Sequence, residues 1–254
     1  MRRYTNSLKR LKNPIQFWRA YYRYKDQEND HIHNVRFRNG FHLGVPHKLI
    51  SAFDEIYLRG VYDEALTNIK GGDVVVDLGA NAGYFSLAAL MKNRDITLIA
   101  VEPLPANHNS FLENMKVNGI DNFQLVEKAV LTNESGYLEL YFEEDDQVSV
   151  SASMVVKPRS NTSLKVPVLS FDQLMEEQGL SHVDLLKIDC EGAEYNILFN
   201  TKPDTFSLVK KIVIETHHWV PVSEGTISQM VTFLNKMGYA TQLLHKDILI
   251  AERA

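Results

Sequence analysis

Asp77-Leu78-Gly79-Ala80-Asn81-Ala82-Gly83 decides how this chain reads. It follows the apolar run Val74-Val75-Val76 and precedes Tyr84-Phe85-Ser86-Leu87-Ala88-Ala89-Leu90, a helical stretch. A strand that ends at small residues and turns into a helix builds a cradle for a nucleotide. Gly79 frees the backbone to approach a ligand, and Gly83 lets the helix pack close. A second apolar strand, Thr97-Leu98-Ile99-Ala100-Val101, ends on Glu102. A carboxylate at that tip suits the hydroxyls of an adenosyl ribose.

The glycine spacing narrows the nucleotide. A dinucleotide site uses G-x-G-x-x-G, because a pyrophosphate needs bare backbone N–H groups at a helix N-terminus. Here Asn81 stands two residues after Gly79, which argues against a nicotinamide cofactor. Asp77 would repel a phosphate but suits an amino group. A ligand with an ammonium, a ribose and no phosphate is S-adenosylmethionine.

Around this centre the chain alternates strand and helix. Strands are expected near Val74–Asp77, Thr97–Glu102, Phe123–Glu127, Val183–Ile188 and Lys211–Glu215. Helices are expected over Phe171–Glu177, capped by Ser170, and over Ala193–Phe199 and Val222–Met237. Such alternation means an α/β fold with a mostly parallel sheet. Ala240–Leu244 and Asp247–Ala251 read as a closing antiparallel hairpin. Tyr137–Phe142 and Leu164–Leu169 read as strands bracketing a polar, serine-rich insertion at 143–163. Ahead of the cradle, Val35–Leu43 alternates around Asn39-Gly40 and reads as a hairpin. Helices are expected over Leu49–Leu58 and Tyr62–Ile69, the second stopping at Gly71-Gly72. The organisation expected is a small helical and hairpin extension over 1–48 and a main domain over 49–254.

The chain has 254 residues, 44% of them apolar, with a formal charge of −5 and one cysteine, Cys190. Neither a membrane-spanning run nor a signal peptide is expected, and the lone cysteine fits a reducing, cytoplasmic compartment. The charge is uneven. Residues 1–25 hold eight Lys/Arg and no acid; taking those from the 27 basic residues leaves 19 against 32 acidic ones, a net of −13. An acidic body does not suit nucleic acid, so no nucleic-acid partner is expected. Leu8, Leu11, Ile15 and Trp18 repeat at helical spacing, interrupted by Pro14. Two uses stand open for this basic head: peripheral contact with the inner face of an anionic membrane through residues 1–25, or docking on an acidic body.

A second informative stretch is Asp184-Leu185-Leu186-Lys187-Ile188-Asp189-Cys190-Glu191-Gly192-Ala193-Glu194. Together, D-L-G-A-N-A-G-Y-F-S, V-E-P-L, F-Q-L-V-E-K-A-V, L-L-K-I-D-C-E-G-A-E and I-V-I-E-T-H resemble the FkbM family of methyltransferases. The resemblance covers about residues 60–220, and K-I-D-x-E-G-A-E is its specific part. It implies a class I methyltransferase (Rossmann-like) fold with a seven-stranded sheet. It also implies transfer to a hydroxyl oxygen, typically of a sugar in a surface glycan or of a glycosylated or polyketide metabolite.

The cofactor residues expected on this reading are Asp77, Gly79, Asn81 and Gly83 around the methionine, Glu102 on the ribose, and Lys128 and Ala129 at the adenine. Tyr84 is a candidate cover, Phe85 a core residue, and Tyr62 a closing residue. Methyl transfer to an unactivated hydroxyl needs a held oxygen and a general base. Asp189 or His217 is expected as base, with Glu191 bonding the substrate; Trp219 is a candidate sugar platform. A metal is not required, although Asp189, Glu215 and His217 could hold a Mg²⁺-type ion. A lipid or other small-molecule acceptor, or a non-catalytic S-adenosylmethionine-binding protein, fits the same cradle.

Overall fold

The computed structural model describes residues 1–24, 31–131, 136–141, 163–217 and 226–253. Helices α1 (Arg2–Arg10) and α2 (Pro14–Tyr24) lead into the hairpin β1 (Ile32–Arg36) and β2 (His42–Pro46). A 3₁₀ turn at His47–Leu49 opens α3 (Ile50–Phe53), which widens into a π-helical segment at Asp54–Arg59. Then follow β3 (Val74–Leu78), α4 (Tyr84–Leu90), β4 (Thr97–Val101), α5 (Pro105–Val117) and β5 (Phe123–Val126). The short β6 (Ala129–Val130) joins β7 (Gly136–Tyr141) and β8 (Ser163–Leu169). The chain closes with α6 (Phe171–Glu177), β9 (Val183–Ile188), α7 (Glu194–Asn200), α8 (Pro203–Ser207), β10 (Val209–Glu215), α9 (Ile227–Lys236), β11 (Tyr239–Leu243) and β12 (Ile248–Arg253).

The main sheet has seven strands in the order β11-β12-β10-β9-β3-β4-β5. Six run in one direction, and β12 runs antiparallel between β10 and β11. Every residue of β3 is buried, as a central strand covered on both faces requires. From β3 the chain builds outward to β4 and β5, then returns to place β9 on the other side of β3. Their carboxyl ends therefore open at the switch in strand order, where α/β sheets bind ligands. This is the class I methyltransferase arrangement, with the expected terminal hairpin. A second sheet, β6-β8-β7, stands beside it, and β7 and β8 pair antiparallel from Gly136↔Val168 to Tyr141↔Ser163. The insertion at 143–163 lies outside the described residues except for Ser163, which begins β8.

Local sequence explains most boundaries. Ser170 accepts the N–H of Gln173 while the Gln173 side chain accepts that of Ser170, a reciprocal cap that starts α6 where expected. The helix expected over Tyr62–Ile69 is absent. That stretch is a run of turns: Asp63 is held by Arg10 at 2.6 Å, Tyr62 reaches into the body, and Asn68 is left-handed at φ 66°. The Leu8–Trp18 stripe also divides. α1 and α2 are separate helices, Leu11 is buried in a bridge to Phe37, and Leu8 and Ile15 are 58% and 69% exposed.

The extension shares a core with the body. Leu11, Phe17, Val35, Leu43 and Val45 share one apolar core with Phe53, Tyr57, Tyr84 and Phe85. Arg3 pairs with Asp54 at 2.6 Å, and Arg10 donates to the Tyr57 carbonyl at 2.8 Å. α1 is thereby fastened along the π-helical segment.

Candidate active site

The carboxyl ends of β3, β4, β9 and β10 open on a cavity of about 200 Å³. Gly79 and Asn81 form one wall, Glu102 another, and Asp189, Glu191 and His217 a third. Lys128 and Ala129 line the far end beside the apolar Leu104, Val130 and Leu140. Ser51, Glu55 and Ile56 close the remaining side. They come from α3 and the π-helical segment, a widened form that concentrates at functional sites.

The glycines of the first motif have different duties. Gly79 sits at φ +77°, and a Cβ there would strike the backbone carbonyl of Asp189. It is required for the close approach of the β3 and β9 tips, as well as lining the cavity. Gly83, at φ +82°, lies behind the cavity wall, where a Cβ would come within 2.7 Å of the Phe111 ring. It therefore serves the packing of α4 on α5 and does not border the ligand space. Asn81 adopts φ 47°, which asparagine tolerates better than most residues.

Asp77 does not reach the cavity. It is fully buried, accepts the Ser86 hydroxyl at 2.6 Å, and faces the Lys187 ammonium at 3.1 Å. The ammonium that sequence reasoning sought for Asp77 is thus the protein's own. Lys187 also donates to the Gly79 carbonyl at 2.7 Å and faces Asp189 at 3.2 Å. Burial alone would strip its proton, but Asp189 and Asp77 overcome this and raise its pKa. Sequence reasoning missed Lys187; its signal was a single cation inside the apolar strand Leu185-Leu186-Lys187-Ile188.

Glu102 is buried at the tip of β4. It accepts the backbone N–H groups of Asn81 at 2.8 Å and Leu104 at 3.0 Å, and the Asn107 amide at 3.1 Å. Burial raises its pKa, opposed by those three donors. Lys128 pairs with Glu177 at 2.7 Å while bordering the cavity. Tyr84 also borders it, and its buried hydroxyl has no hydrogen-bond partner among the described residues. A carboxylate held by backbone N–H groups at a strand tip, in a cavity that also has the apolar Leu104, Val130 and Leu140, fits an adenosyl ligand.

The β9 and β10 tips carry the titratable cluster. The Nδ1–H of His217 donates to Glu194 at 2.9 Å, and its Nε2 faces Glu191 at 3.7 Å and Asp189 at 3.8 Å. Glu194 is itself fully buried and accepts the N–H groups of Cys190 and Gly192. Burial disfavours the imidazolium, but these three carboxylates raise its pKa to about 10. Burial raises Glu191 to about 7 against the pull of His217. Glu191 also holds φ 49°, a conformation rare for glutamate. Glu215 is pushed up to about 8 by burial and Asp189, and accepts the Tyr62 hydroxyl at 2.5 Å. Tyr62 thus closes onto Glu215 and does not border the cavity.

Ligand atoms of Asp189, Glu191 and His217 lie within 4.8 Å of one another. The oxygen–nitrogen set that could accept an ion thus draws on Glu191 where the sequence suggested Glu215, which Tyr62 engages. His218 and Trp219 lie outside the described residues. Burial, with Glu194 nearby, raises the Cys190 thiol well above its ordinary range, consistent with a packing role.

Fold and site together define a methyltransferase of class I. Residues 77–241 match the family model described as "Methyltransferase FkbM domain", and the chain belongs to that family. Its methyl donor is S-adenosylmethionine. The chain is 29% identical over 215 residues to "Methyltransferase sdnD" of Sordaria araneosa, covering 74% of this chain and 80% of that one. It is 26% identical over 212 residues to "Methyltransferase 1" of Beauveria bassiana, covering 76% and 82%. It is 22% identical over 226 residues to "31-O-demethyl-FK506 methyltransferase FkbM" of Streptomyces tacrolimicus, covering 78% and 84%. Among solved structures, the precorrin-6y C5,15-methyltransferase of Geobacter metallireducens aligns with a TM-score of 0.49 at 14% identity, covering 84% of this chain and 94% of that one.

Proposed function

We propose that this chain is an O-methyltransferase acting on a hydroxyl, of a sugar in a surface glycan or of a glycosylated metabolite. The observation that carries the reading is the carboxylate pair Asp189 and Glu191 beside the nucleotide cradle. A hydroxyl must lose a proton when it is methylated, and these groups border the same cavity as Glu102. Glu55, also on the cavity, adds acceptor oxygens that suit a polyol. A hydroxyl on a non-sugar small molecule is the second reading, favoured by the relative named for 31-O-demethyl-FK506.

On this proposal the Gly79–Asn81 backbone holds the methionine portion of the cofactor. Glu102 holds the ribose, and Lys128 and Ala129 border the adenine. The cofactor supplies an electrophilic methyl on a positive sulfur. His217 does not act as the base: with a pKa about 10 it is already an imidazolium at neutral pH. It instead fixes Asp189 and Glu191 through its Nε2–H while Glu194 fixes its ring. Glu191, at about 7, has the proton affinity a base needs near neutrality. The acceptor proton passes to the Asp189–Glu191 pair.

The test pairs calorimetric binding of S-adenosylmethionine with radiolabelled methyl transfer to nucleotide-linked and lipid-linked sugars. Glu102→Ala should weaken cofactor binding. Asp189→Asn and Glu191→Gln should keep it and lower turnover, about 10²-fold or more for the base. Unchanged turnover in both variants would overturn the base assignment. Transfer confined to non-sugar hydroxyls would select the second reading.

A further inference from the structure

We propose that the outer face of the α1–α2 pair is a docking surface for an anionic lipid bilayer. Among the described residues, Tyr4, Leu8, Ile15 and Tyr22 are 47%, 58%, 69% and 54% exposed. Met1 and Ile32 are also at least half exposed, so the exposed large apolar side chains concentrate at this end of the chain. Helical geometry gathers them. Tyr4 and Leu8 are four apart on α1, and Ile15, Arg19 and Tyr22 follow at four and three on α2. The two rows meet where the Tyr4 and Tyr22 hydroxyls bond at 2.7 Å and Tyr4 packs on Trp18 at 4.8 Å between ring centres.

Charge selects the occupant. α1, α2 and the link between them contain no acidic residue. Their basic residues divide by function: Arg3 and Arg10 turn inward to Asp54 and Asp63, whereas Lys9, Lys12 and Arg19 are exposed. Amphipathic aromatic rings, aliphatic side chains and lysine or arginine on one face match the headgroup boundary of a bilayer with anionic lipid. A symmetric pairing of this face with a second copy would set cation against cation. No helix among the described residues is long and apolar enough to cross a membrane, so the contact is peripheral. Because α1 is bolted to the π-helical segment whose Glu55 and Ile56 border the cavity, docking would hold that wall beside the lipid surface.

The test is co-sedimentation of the full chain with phosphatidylglycerol–phosphatidylcholine vesicles and with pure phosphatidylcholine vesicles. Binding should need phosphatidylglycerol and fall as salt rises. Lys9→Gln, Lys12→Gln and Arg19→Gln combined should lower partitioning on the order of a hundredfold. Leu8→Glu with Ile15→Glu should lower it more than about tenfold. These side chains are exposed, so unchanged S-adenosylmethionine binding verifies that the variants fold. Equal pelleting of wild type and variants, or none with either vesicle, would overturn the proposal. So would a self-association, seen by analytical ultracentrifugation, that the same variants abolish, since it would assign the face to a second copy.

Discussion

Glu194→Gln tests the electrostatic logic of the site most directly. The substitution keeps the shape of the side chain and leaves an amide oxygen for the Cys190 and Gly192 N–H groups. It removes the closest of the three charges that hold His217 protonated. His217 is raised from 6.5 to about 10, and at about 1.4 kcal/mol per pH unit this caps its stabilisation at about 5 kcal/mol. Glu194 stands at 2.9 Å and fully buried, while Asp189 and Glu191 stand farther off at 3.8 and 3.7 Å and are untouched by the substitution. Roughly half the total, about 2–3 kcal/mol, is therefore assigned to Glu194. Because the folded-state pKa is raised, this contribution is fully present below pH 6.5 and is lost as pH rises through about 10. Denaturant unfolding of both proteins should show the widest gap near pH 6 and a narrowing gap above neutrality. Nitrogen-detected histidine titration should find His217 charged through pH 8 in the wild type and at least about one pH unit easier to deprotonate in the variant. A wild-type His217 titrating near 6.5, or a stability gap independent of pH, would refute the reasoning.

Three further outcomes follow from the same geometry. Turnover should rise with pH through about 7 as Glu191 loses its proton, and fall towards about 10 as His217 loses its own; Glu191→Gln should remove the lower limb in a pH–rate profile. Gly79→Ala should cost about 3 kcal/mol or more, since it combines a left-handed residue with a collision against the Asp189 carbonyl; thermal unfolding measures this, and a melting temperature within a degree or so of wild type would count against it. Lys187→Met should destabilise by about 3–5 kcal/mol, because it leaves Asp77 buried without its cation; near-neutral stability in denaturant unfolding would count against a structural role for this ion pair.

The fold was legible because its decisive segments obey local rules. β3 and β9 are short, mostly apolar runs, β3 ending before Gly79 and β9 before Asp189, and α6 begins at a serine cap, so their boundaries emerge within a residue. Tyr62–Ile69 was not legible, because its helical periodicity is real but tertiary ties to Arg10 and Glu215 decide its form. The Leu8–Trp18 stripe failed for a related reason: periodicity carried across Pro14 assumes one axis, and the bridge from Leu11 to Phe37 turns the chain there. For the site, strand-tip position places Glu102, Lys128, Ala129, Asp189, Glu191 and His217 on one cavity. Direction within the tip was not encoded. Only the partner Lys187 shows that Asp77 points inward, while Gly79, past the end of β3 at Leu78, borders the cavity.

That inward turn links the two motifs. In sequence, D-x-G and K-I-D-x-E look like separate sites, one for cofactor and one for chemistry. In the structure they are halves of one joint. Lys187 reaches from β9 to Asp77 on β3 and to the Gly79 carbonyl, while Gly79 lacks the Cβ that would push the Asp189 carbonyl away. The same ammonium then faces the Asp189 carboxylate, so the group that opens the cradle also positions a catalytic candidate. A change at Asp77 should therefore be felt at Asp189, because the coupling runs through the buried Lys187 ammonium that faces both carboxylates. On the proposed roles, cofactor binding and proton transfer should respond together to substitution of Lys187, which joins both carboxylates.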